Sequence, residues 1–243
     1  TCVLNEQALQ VAKRYDFSLC SGFNMSELSV PLVTEIDCQI AGSCGKPRTG
    51  CECRVVDEHD YECAPGEVGE LIVRTDQPWE TSLGYLNRPD ATAAAWRNGW
   101  FHTGDLVRKD VEGNFFFVDR LKDAVRRRGE NVSSLEVESE VLGYDAVAEA
   151  AVVGIPSEFG DEDILVAVVA KRGKSVDPQK LIEYLIPLMP HYMVPRFIRT
   201  MDELPKTATN KLMKYAIRDN GITYDTWDAE AEGIFLRKTR LSP

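Results

Sequence analysis

The spacing of apolar residues in this 243-residue chain changes once, near Arg120. Upstream of that point, ECRVVDEHDYECAPGEVGELIVR contains two apolar runs of strand length separated by a Pro-Gly turn, and GNFFFVDR contains a third. Strand and turn patterns of this kind extend from Ile36 to Asp119. We therefore predict an antiparallel, β-barrel-like or sandwich subdomain for this stretch.

The second half of the chain has strand and helix patterns. Ser133 and Glu136 form a capping box that predicts a helix to about Leu142. The runs VAEAAVVGI and ILVAVVAKR have the length and β-branched character of strands. Asp177 precedes a proline at the first helical position, and the helical spacing of KLIEYLIPLM continues to Pro190. These patterns predict a small α+β domain.

The two patterns define the predicted domain organisation. Residues 1–119 form the end of a larger α/β domain that carries the barrel-like subdomain, and their first 19 residues have a helical pattern. Residues 120–221 form the small α+β domain, and residues 222–243 form a tail that contains Trp227. The fold class expected for the chain is α/β plus α+β.

Net charge excludes some classes of partner. The net charge of −11 and the pI near 4.9 disfavour nucleic acid and anionic membranes, because neutralising phosphates requires clustered Lys and Arg. No run approaches the ~18 apolar residues of a membrane span, and the start lacks the pattern of a signal peptide. We expect a cytoplasmic protein without integral membrane contact, and a homo-oligomer is compatible with the sequence.

All seven cysteines lie within the first 63 residues. The only short spacing is Cys51-x-Cys53, and His59 is the nearest histidine, so the spacing of a zinc site is missing. An odd number of cysteines without such spacing favours reduced, mostly buried thiols over a metal site.

Two polar motifs in the first half have side chains suited to a nucleotide. In SGFNMSE, Phe23 can stack on a flat ring, Ser26 can donate to a phosphate, and Glu27 can hold Mg²⁺. In WFHTGDL, Asp105 follows a Thr-Gly turn, and its carboxylate can accept two hydrogen bonds from a ribose diol. Taken alone, Asp105 is explained more simply as a turn-forming residue than as a ligand-binding one. Likewise, Glu27 taken alone is explained more simply as a negative charge at the start of a helix.

Two further motifs carry cations. In FFFVDRLKDAV, Arg120 ends a strand, and its fork of donors can reach a ribose or phosphate. In LPKTATNK, Lys211 ends a loop of threonines. A surface ion pair explains an isolated arginine, and solvent exposure explains an isolated lysine. The order and spacing of all four motifs favour the functional interpretation.

Together these motifs resemble the adenylate-forming superfamily of acyl-CoA synthetases, peptide-synthetase adenylation domains and luciferases. SGFNMSE is similar to its aromatic-Gly-x-Thr-Glu motif, WFHTGDL to its TGD motif, VDRLKD to its hinge motif, and LPKTATNK to its Pro-Lys-Thr-x-x-Gly-Lys motif. GSCGKPRTGCECRVVD and GEVGELIVR…GYLNRPDAT also resemble family signatures. The resemblance extends from about Ser21 to Arg218. RRRGENVSSLEVE resembles the stretch that lines the CoA thiol path, and TYDTWDAEAEGI resembles the tail of crotonobetaine/carnitine-CoA ligase-like enzymes.

The sequence departs from the family pattern at several places. Asn24 and Asn210 stand where glycine is usual, and Ser26 stands in place of threonine but keeps the hydroxyl. Asparagine tolerates left-handed backbone angles, so position 210 can preserve the shape of its loop. No Gly/Ser/Thr-rich phosphate loop is found upstream of SGFNMSE, and family members are roughly twice as long. We expect the carboxyl-terminal portion of a larger enzyme whose upstream half is missing, and this portion alone is expected to be inactive.

The resemblance implies an ATP-dependent, AMP-forming acyl-CoA ligase that uses ATP, Mg²⁺ and CoA to activate a carboxylic acid. It implies catalytic roles for Lys211, Ser26 and Glu27, with Mg²⁺ on Glu27. Adenine would lie between Phe23 and Phe117, and the ribose would bind Asp105 and Arg120. The implied nucleotide contacts are Phe23, Asn24, Ser26, Asp105, Phe117, Arg120 and Lys211.

For thioester formation, the resemblance implies that the small domain swings about a hinge at Lys122. Gly129 would then approach the thiol path, and the arginines from Arg126 to Arg128 would meet CoA phosphates; a solvated strand edge explains these arginines equally well.

Two other functions stay open at the level of sequence. An adenylation domain would load a phosphopantetheine carrier protein instead of CoA. A non-catalytic binding or scaffold module would keep the fold without the phosphate loop. The pocket that selects the acyl group is expected to be built largely by the missing upstream part.

Overall fold

The computed structural model describes residues 6–157 and 160–235. The chain divides into two compact units, Thr1–Leu121 and Lys122–Pro243. Cys2 and the basic end of the predicted tail lie outside the described residues. Within the described ranges, no helix is both long enough and apolar enough to cross a membrane.

The first unit contains a short helix and one antiparallel sheet. The helix predicted near the start is confirmed, but it ends at Tyr15, where Asp16 takes a positive φ of 52°. The elements of this unit are α1 (Glu6–Tyr15), β1 (Gly22–Met25), β2 (Ser29–Val33), β3 (Ser43–Pro47), β4 (Cys51–Val56), β5 (Val68–Thr75), α2 (Pro89–Ala95), β6 (Trp96–Arg97), β7 (Trp100–Lys109) and β8 (Phe115–Arg120).

The eight strands of the sheet follow the order β1-β2-β3-β8-β7-β5-β4, and the short β6 pairs with β7. Every neighbouring pair is antiparallel, as the sequence predicts. Among the described residues, β1 and β4 remain the two ends of this order, so the sheet does not close into a barrel. The expected barrel-like subdomain is thus an open antiparallel sheet.

Alternating residues of β4, β5 and β7 form part of the core of this unit. Cys53 faces Val73 and Val55 faces Leu71 across β4 and β5, and Val73 also faces Phe101 on β7. All five side chains are buried in one cluster. Because side chains alternate between the two faces of a strand, this register directs one apolar set to the core.

The six described cysteines are free thiols. Cys44 and Cys53 are buried, and burial raises the pKa of Cys53 to about 12. Cys20 is exposed and the other three are half-buried, so burial is less general than the sequence predicted. Within residues 6–157 and 160–235, no cluster of three His, Cys, Asp or Glu side chains is arranged to hold a metal ion.

The second unit is an α+β fold with a hairpin and a four-stranded sheet. The sheet order is β11-β12-β13-β14, in which β12 and β13 are parallel and the other pairs antiparallel. Its elements are β9 (Val125–Arg127), β10 (Glu130–Val132), α3 (Ser134–Leu142), β11 (Val147–Pro156), β12 (Glu162–Ala170), α4 (Pro178–Leu185), β13 (Phe197–Met201), α5 (Lys214–Asn220) and β14 (Thr226–Asp228).

Both faces of the β11–β12 hairpin are buried. Val152 and Val166 belong to a cluster that contains Leu181 and Leu185 of α4. Their neighbours along the strands, Val153 and Leu165 among others, belong to a second cluster that contains residues of β13 and α5. Burial on both faces explains why these strands are continuous apolar runs, since each fully buried side chain contributes about 1.5–3 kcal/mol.

The predicted helix starts are confirmed by their caps. Oγ of Ser133 accepts a 3.2 Å hydrogen bond from the backbone N–H of Glu136 at the start of α3. The Asp177 carboxylate accepts from the backbone N–H groups of the second and third residues of α4. The prediction that this helix continues to Pro190 is wrong. It ends at Leu185, because Pro187 has no N–H for the helical ladder.

Part of the predicted tail is a strand. Thr226–Asp228 form β14, which pairs with β13 along the edge of the sheet. Arg196 binds both carboxylate oxygens of Asp228, at 3.1 and 3.0 Å, and one oxygen of Asp163 on β12, at 3.0 Å. One guanidinium group therefore connects the edge strand β14 to the central strand β12 of the sheet.

Candidate functional site

The Thr-Gly-Asp segment of the first unit lies inside β7 and not in a turn, which corrects the prediction from sequence. Glu70 pairs with Leu106 and Ile72 with His102, so residues 103–105 lie opposite a single residue of β5. This is a β-bulge, and its middle residue, Gly104, has a φ of 67° that favours glycine. β7 continues before and after the bulge, and the backbone groups of the bulge form hydrogen bonds outside the regular ladder.

The bulge is held by four hydrogen bonds. Thr103 Oγ1 donates to the backbone oxygen of Leu71 at 2.7 Å and accepts from the backbone N–H of Asp105 at 3.1 Å. The N–H of Gly104 donates to Oε1 of Glu70 at 3.0 Å, and its carbonyl accepts from the N–H of Leu121 at 2.8 Å. The position of Asp105 is therefore fixed by residues of β5 that are distant in sequence.

Asp105 and Arg120 are direct cross-strand partners on β7 and β8. Nε of Arg120 lies 2.8 Å from Oδ1 of Asp105, whose side chain is 2% exposed, whereas the arginine side chain is 52% exposed. Within the described part of the chain, Oδ1 of Asp105 has no hydrogen bond. A ligand hydroxyl that reached this oxygen would share it with the arginine and would find an acceptor there.

The carboxyl group of Asp105 is electrostatically perturbed. Its pKa is raised to about 6, mainly by burial, and Arg120 acts in the opposite direction. The carboxylates of Glu27 and Glu70 contribute to this increase, so both negative charges act on the same site. The structure thus brings Glu27, Asp105 and Arg120 into one electrostatic neighbourhood.

The SGFNMSE segment forms β1 and the turn after it. Phe23 is 2% exposed and packs in the core, and Phe117 packs against the same cluster. This placement does not favour the predicted stacking of Phe23 on an adenine ring. Asn24 and Ser26 are exposed, because side chains alternate along the strand and these two point away from the face that buries Phe23. Their polar groups are therefore accessible to a ligand.

Glu27 is held by the loop that precedes α2. The hydroxyl of Tyr85 donates to Oε1 of Glu27 at 2.8 Å, and the N–H of Ser82 donates to the backbone oxygen of Glu27 at 2.8 Å. Burial, and secondly this hydrogen bond, raise the pKa of Tyr85. No role was predicted for Tyr85 from the sequence, although it lies in the GYLNRPDAT motif.

The loop that carries Lys211 is a closed turn in the second unit. Lys206 and Leu212 form a β-bridge, and the N–H of Thr207 donates to the backbone oxygen of Lys211 at 2.8 Å. Asn210 has a φ of 63°, which confirms the predicted left-handed conformation at this position.

The lysines at the two ends of this loop differ in their partners. The ammonium group of Lys206 pairs with Glu149 at 2.6 Å. Lys211 is exposed, and among residues 6–157 and 160–235 no carboxylate forms an ion pair with its ammonium group. The loop therefore presents an uncompensated positive charge at a backbone position fixed by hydrogen bonds.

The β9–β10 hairpin places Arg128 and Gly129 in its two-residue turn, with φ values of 53° and 82°. Arg126 and Arg128 are exposed, whereas Arg127 is buried. Arg127 lies 3.3 Å from Asp163 and donates to the carbonyl of Val194 at 2.5 Å, so the expectation that it meets a ligand phosphate is wrong. Alternation along the strand is the cause.

The predicted hinge residue begins the second unit. Lys122 is exposed, and its carbonyl accepts a 2.9 Å hydrogen bond from Arg218 of α5. The same arginine lies 3.9 Å from Asp123.

Two sequence families match the chain. The AMP-binding enzyme family matches residues 3–86, and the AMP-binding enzyme C-terminal domain matches residues 136–211. The chain belongs to the AMP-binding, adenylate-forming superfamily. This result confirms the family resemblance of the sequence motifs, whereas the closeness to crotonobetaine/carnitine-CoA ligases stays a prediction.

Curated members of the superfamily support this assignment. The long-chain-fatty-acid–CoA ligase of Escherichia coli O157:H7 is 37% identical over 221 residues, which cover 89% of this chain and 38% of that protein. Feruloyl-CoA synthase of Amycolatopsis sp is 34% identical over 215 residues, covering 86% of this chain and 43% of that protein. The chain thus spans well under half the length of these curated relatives.

Solved structures of the superfamily share the fold. O-succinylbenzoate Coenzyme A synthetase from Bacillus subtilis, in complex with AMP, aligns with a TM-score of 0.76 and 30% identity over 90% of this chain and 44% of that chain. ATP-bound MatB from Rhodopseudomonas palustris aligns with a TM-score of 0.73 and 27% identity over 83% of this chain and 40% of that chain. The predicted fold class is confirmed by these alignments.

Proposed function

We propose that these residues are the carboxyl-terminal part of an AMP-forming acyl-CoA ligase, which activates a carboxylic acid with ATP and transfers the acyl group to CoA. The observation that carries the proposal is the ion pair between the buried Asp105, on a hydrogen-bonded bulge, and the half-exposed Arg120, in a chain whose relatives are named CoA ligases. An upstream part would supply the phosphate loop, and the 243 residues alone would be inactive.

The first unit binds the nucleoside in this proposal. Asp105 accepts hydrogen bonds from the ribose hydroxyls, which is supported by the burial of its Oδ1, where the 2.8 Å ion pair with Arg120 lacks hydrogen-bond geometry and leaves the oxygen able to accept. Arg120 shares the ribose and balances the carboxylate charge. Ser26 and Asn24 contact phosphate and base from the exposed side of β1, and Phe117 contributes apolar surface beneath the adenine.

The first half-reaction joins the acid to AMP. A carboxylate oxygen of the acid forms a bond to the α-phosphorus of ATP, the bond from that phosphorus to the bridging oxygen breaks, and pyrophosphate leaves. Negative charge grows on the phosphoryl oxygens and on the leaving group. The exposed ammonium group of Lys211 is suited to stabilise that charge, and a well-placed donor of this kind contributes about 10² to 10³ in rate.

Glu27 is the proposed ligand for Mg²⁺. A carboxylate oxygen is the ligand type that Mg²⁺ prefers, and the ion is commonly held by one or two carboxylates together with substrate phosphates. Tyr85 binds one oxygen of Glu27, which leaves Oε2 for the ion. When bound, Mg²⁺ would neutralise part of the triphosphate charge.

The second half-reaction forms the thioester. The CoA sulfur forms a bond to the acyl carbon, the bond between that carbon and the AMP oxygen breaks, and the thiol proton passes to solvent. In this proposal the Gly129 turn lines the thiol path, Arg126 and Arg128 meet CoA phosphates, and Lys122 is the hinge between the two steps.

The proposal includes the cytoplasm as the compartment, since the described cysteines are free thiols and ATP and CoA are the co-substrates.

The role of Lys211 is tested in the complete ligase with Lys211→Ala. The acids assayed are long-chain and aromatic carboxylic acids, the classes named for the relatives. Carboxylate-dependent exchange of pyrophosphate into ATP should fall about 10²- to 10³-fold, because the charge in the transition state loses its cation. Thioester formation from supplied acyl-adenylate should stay close to wild type.

Lys206→Ala is the matched control, because this lysine is on the same loop but is already paired with Glu149. It should leave both half-reactions close to wild type. Equal loss of both half-reactions in Lys211→Ala would contradict the proposed role, and a wild-type ligase without any exchange would contradict the proposed function.

A further inference from the structure

We propose that Glu70 is a positioning residue that holds the bulge of β7 in the shape required for Asp105 to bind the ribose. The inference rests on the proposed function and adds a residue that does not touch the nucleotide itself. It acts through the backbone of Gly104, one residue before Asp105.

The two oxygens of the Glu70 carboxylate have different partners. Oε1 accepts the 3.0 Å hydrogen bond from the N–H of Gly104. Oε2 lies 2.9 Å from Nδ1 of His102 and 3.4 Å from a terminal nitrogen of Arg97. That arginine nitrogen lies 2.7 Å from the same Nδ1 of His102. His102 and Arg97 therefore hold one oxygen of the carboxylate, and the other oxygen binds the N–H of Gly104 in the bulge.

The contact to Gly104 fixes a conformation that the backbone would not adopt by default. Gly104 has positive φ inside a strand, and its N–H points away from the regular ladder because three residues oppose one. Hydrogen bonds to an ionised acceptor are about twice as strong as those between neutral groups. The side chain of Glu70 is only 12% exposed, so water competes weakly for this bond.

Of the hydrogen bonds that hold the bulge, the one accepted by Glu70 is made by a charged side chain, and it adds to those of the Thr103 hydroxyl and the Gly104 carbonyl. On the Thr103 side, the bulge is also anchored through the Thr103 hydroxyl to Leu71. On the Leu106 side, the regular pairing with Glu70 resumes. Loss of the carboxylate would leave the N–H of Gly104 without its acceptor, so the segment between these anchors could relax and shift Asp105 relative to Arg120.

The test compares two nucleotides in the complete ligase. Carboxylate-dependent pyrophosphate exchange is measured with ATP and with 2′,3′-dideoxy-ATP, which lacks the hydroxyls that Asp105 would accept from. Glu70→Ala should lower kcat/KM for ATP about 10- to 100-fold, the cost of one hydrogen bond to a charged group, and should lower it less than about threefold for the dideoxy nucleotide. A general structural defect would lower both values equally.

Two further variants make the result decisive. Glu52→Ala removes a carboxylate from the neighbouring strand, where it pairs with Arg54 and Arg74, and should change neither nucleotide. Glu70→Gln keeps an oxygen acceptor, so kcat/KM for ATP alone should fall, by about 3- to 10-fold. This variant replaces Glu70→Ala in the test if the alanine variant does not fold.

Equal loss for both nucleotides, or no loss for ATP, in a wild-type-active ligase would overturn the role of Glu70 alone. Absence of exchange in the wild type would overturn the proposed function and this inference together.

Discussion

Replacing Asp105 with asparagine should stabilise the first unit at neutral pH while it weakens nucleotide binding. The carboxyl group has a pKa of about 6 in the folded chain against 3.8 for an unperturbed aspartate, and burial is the main cause. An acid with a raised pKa holds its proton more tightly in the folded state. Ionisation above pH 6 therefore costs the folded state free energy, and asparagine has no charge to bury.

The magnitude follows from the two pKa values. Each unit of difference corresponds to about 1.4 kcal/mol, so the free energy of unfolding should rise by about 3 kcal/mol at pH 8 in Asp105→Asn. At pH 5 the folded carboxyl is mostly protonated, and the advantage should fall to about half. Below pH 3.8 it should disappear, because both states then hold the proton.

Urea unfolding followed by tryptophan fluorescence suits this measurement, since Trp79, Trp96 and Trp100 lie in the unit that contains Asp105. Asp90→Asn is the control for net charge, because Asp90 is exposed and its ion pair with Arg88 lies on the surface. It should change the midpoint far less than Asp105→Asn does. An Asp105→Asn variant that is less stable at pH 8, or an effect that does not shrink as pH falls, would refute the reasoning.

Two other predictions concern Tyr85 in the first unit and the Lys211 loop in the second unit. In Tyr85→Phe, one oxygen of Glu27 loses its donor, so the Mg²⁺ concentration for half-maximal pyrophosphate exchange should rise about tenfold; an unchanged Mg²⁺ dependence would argue against Glu27 as the ligand. In Asn210→Val, the β-branched side chain meets a φ of 63° at a cost of about 1–2 kcal/mol, so exchange should fall about tenfold. Asn210→Gly should match the wild type, and equal activity of the two variants would contradict a structural role for this φ.

Local sequence signals predicted the local structure well. The cap of α3 requires only Ser133 and a residue three positions later, and the positive φ at Asn210 depends on a single residue type. The strands β11 and β12 were evident because both faces are buried, which leaves few polar residues to interrupt the pattern. Such features are encoded within a few consecutive residues.

The features that sequence did not predict depend on distant partners. The bulge at Gly104 is held by Glu70, which lies 34 residues earlier in the chain, so a Thr-Gly-Asp segment read alone indicates a turn. The burial of Phe23 and Arg127 follows from which face of the strand meets the core, and a strand of three or four residues gives too short a pattern to decide this. The missed role of Tyr85 has the same cause, since its partner lies 58 residues away.

The strand β14 has a consequence for how the second unit is delimited. It covers the backbone of β13, and Arg196 joins it to Asp163. Cutting the protein after residue 221 would uncover the hydrogen-bonding groups of β13 and leave the guanidinium without Asp228. Uncovered strand edges recruit other polypeptides. Any shortened version intended for biophysical work should therefore retain the segment through Asp228 if it is to stay monodisperse.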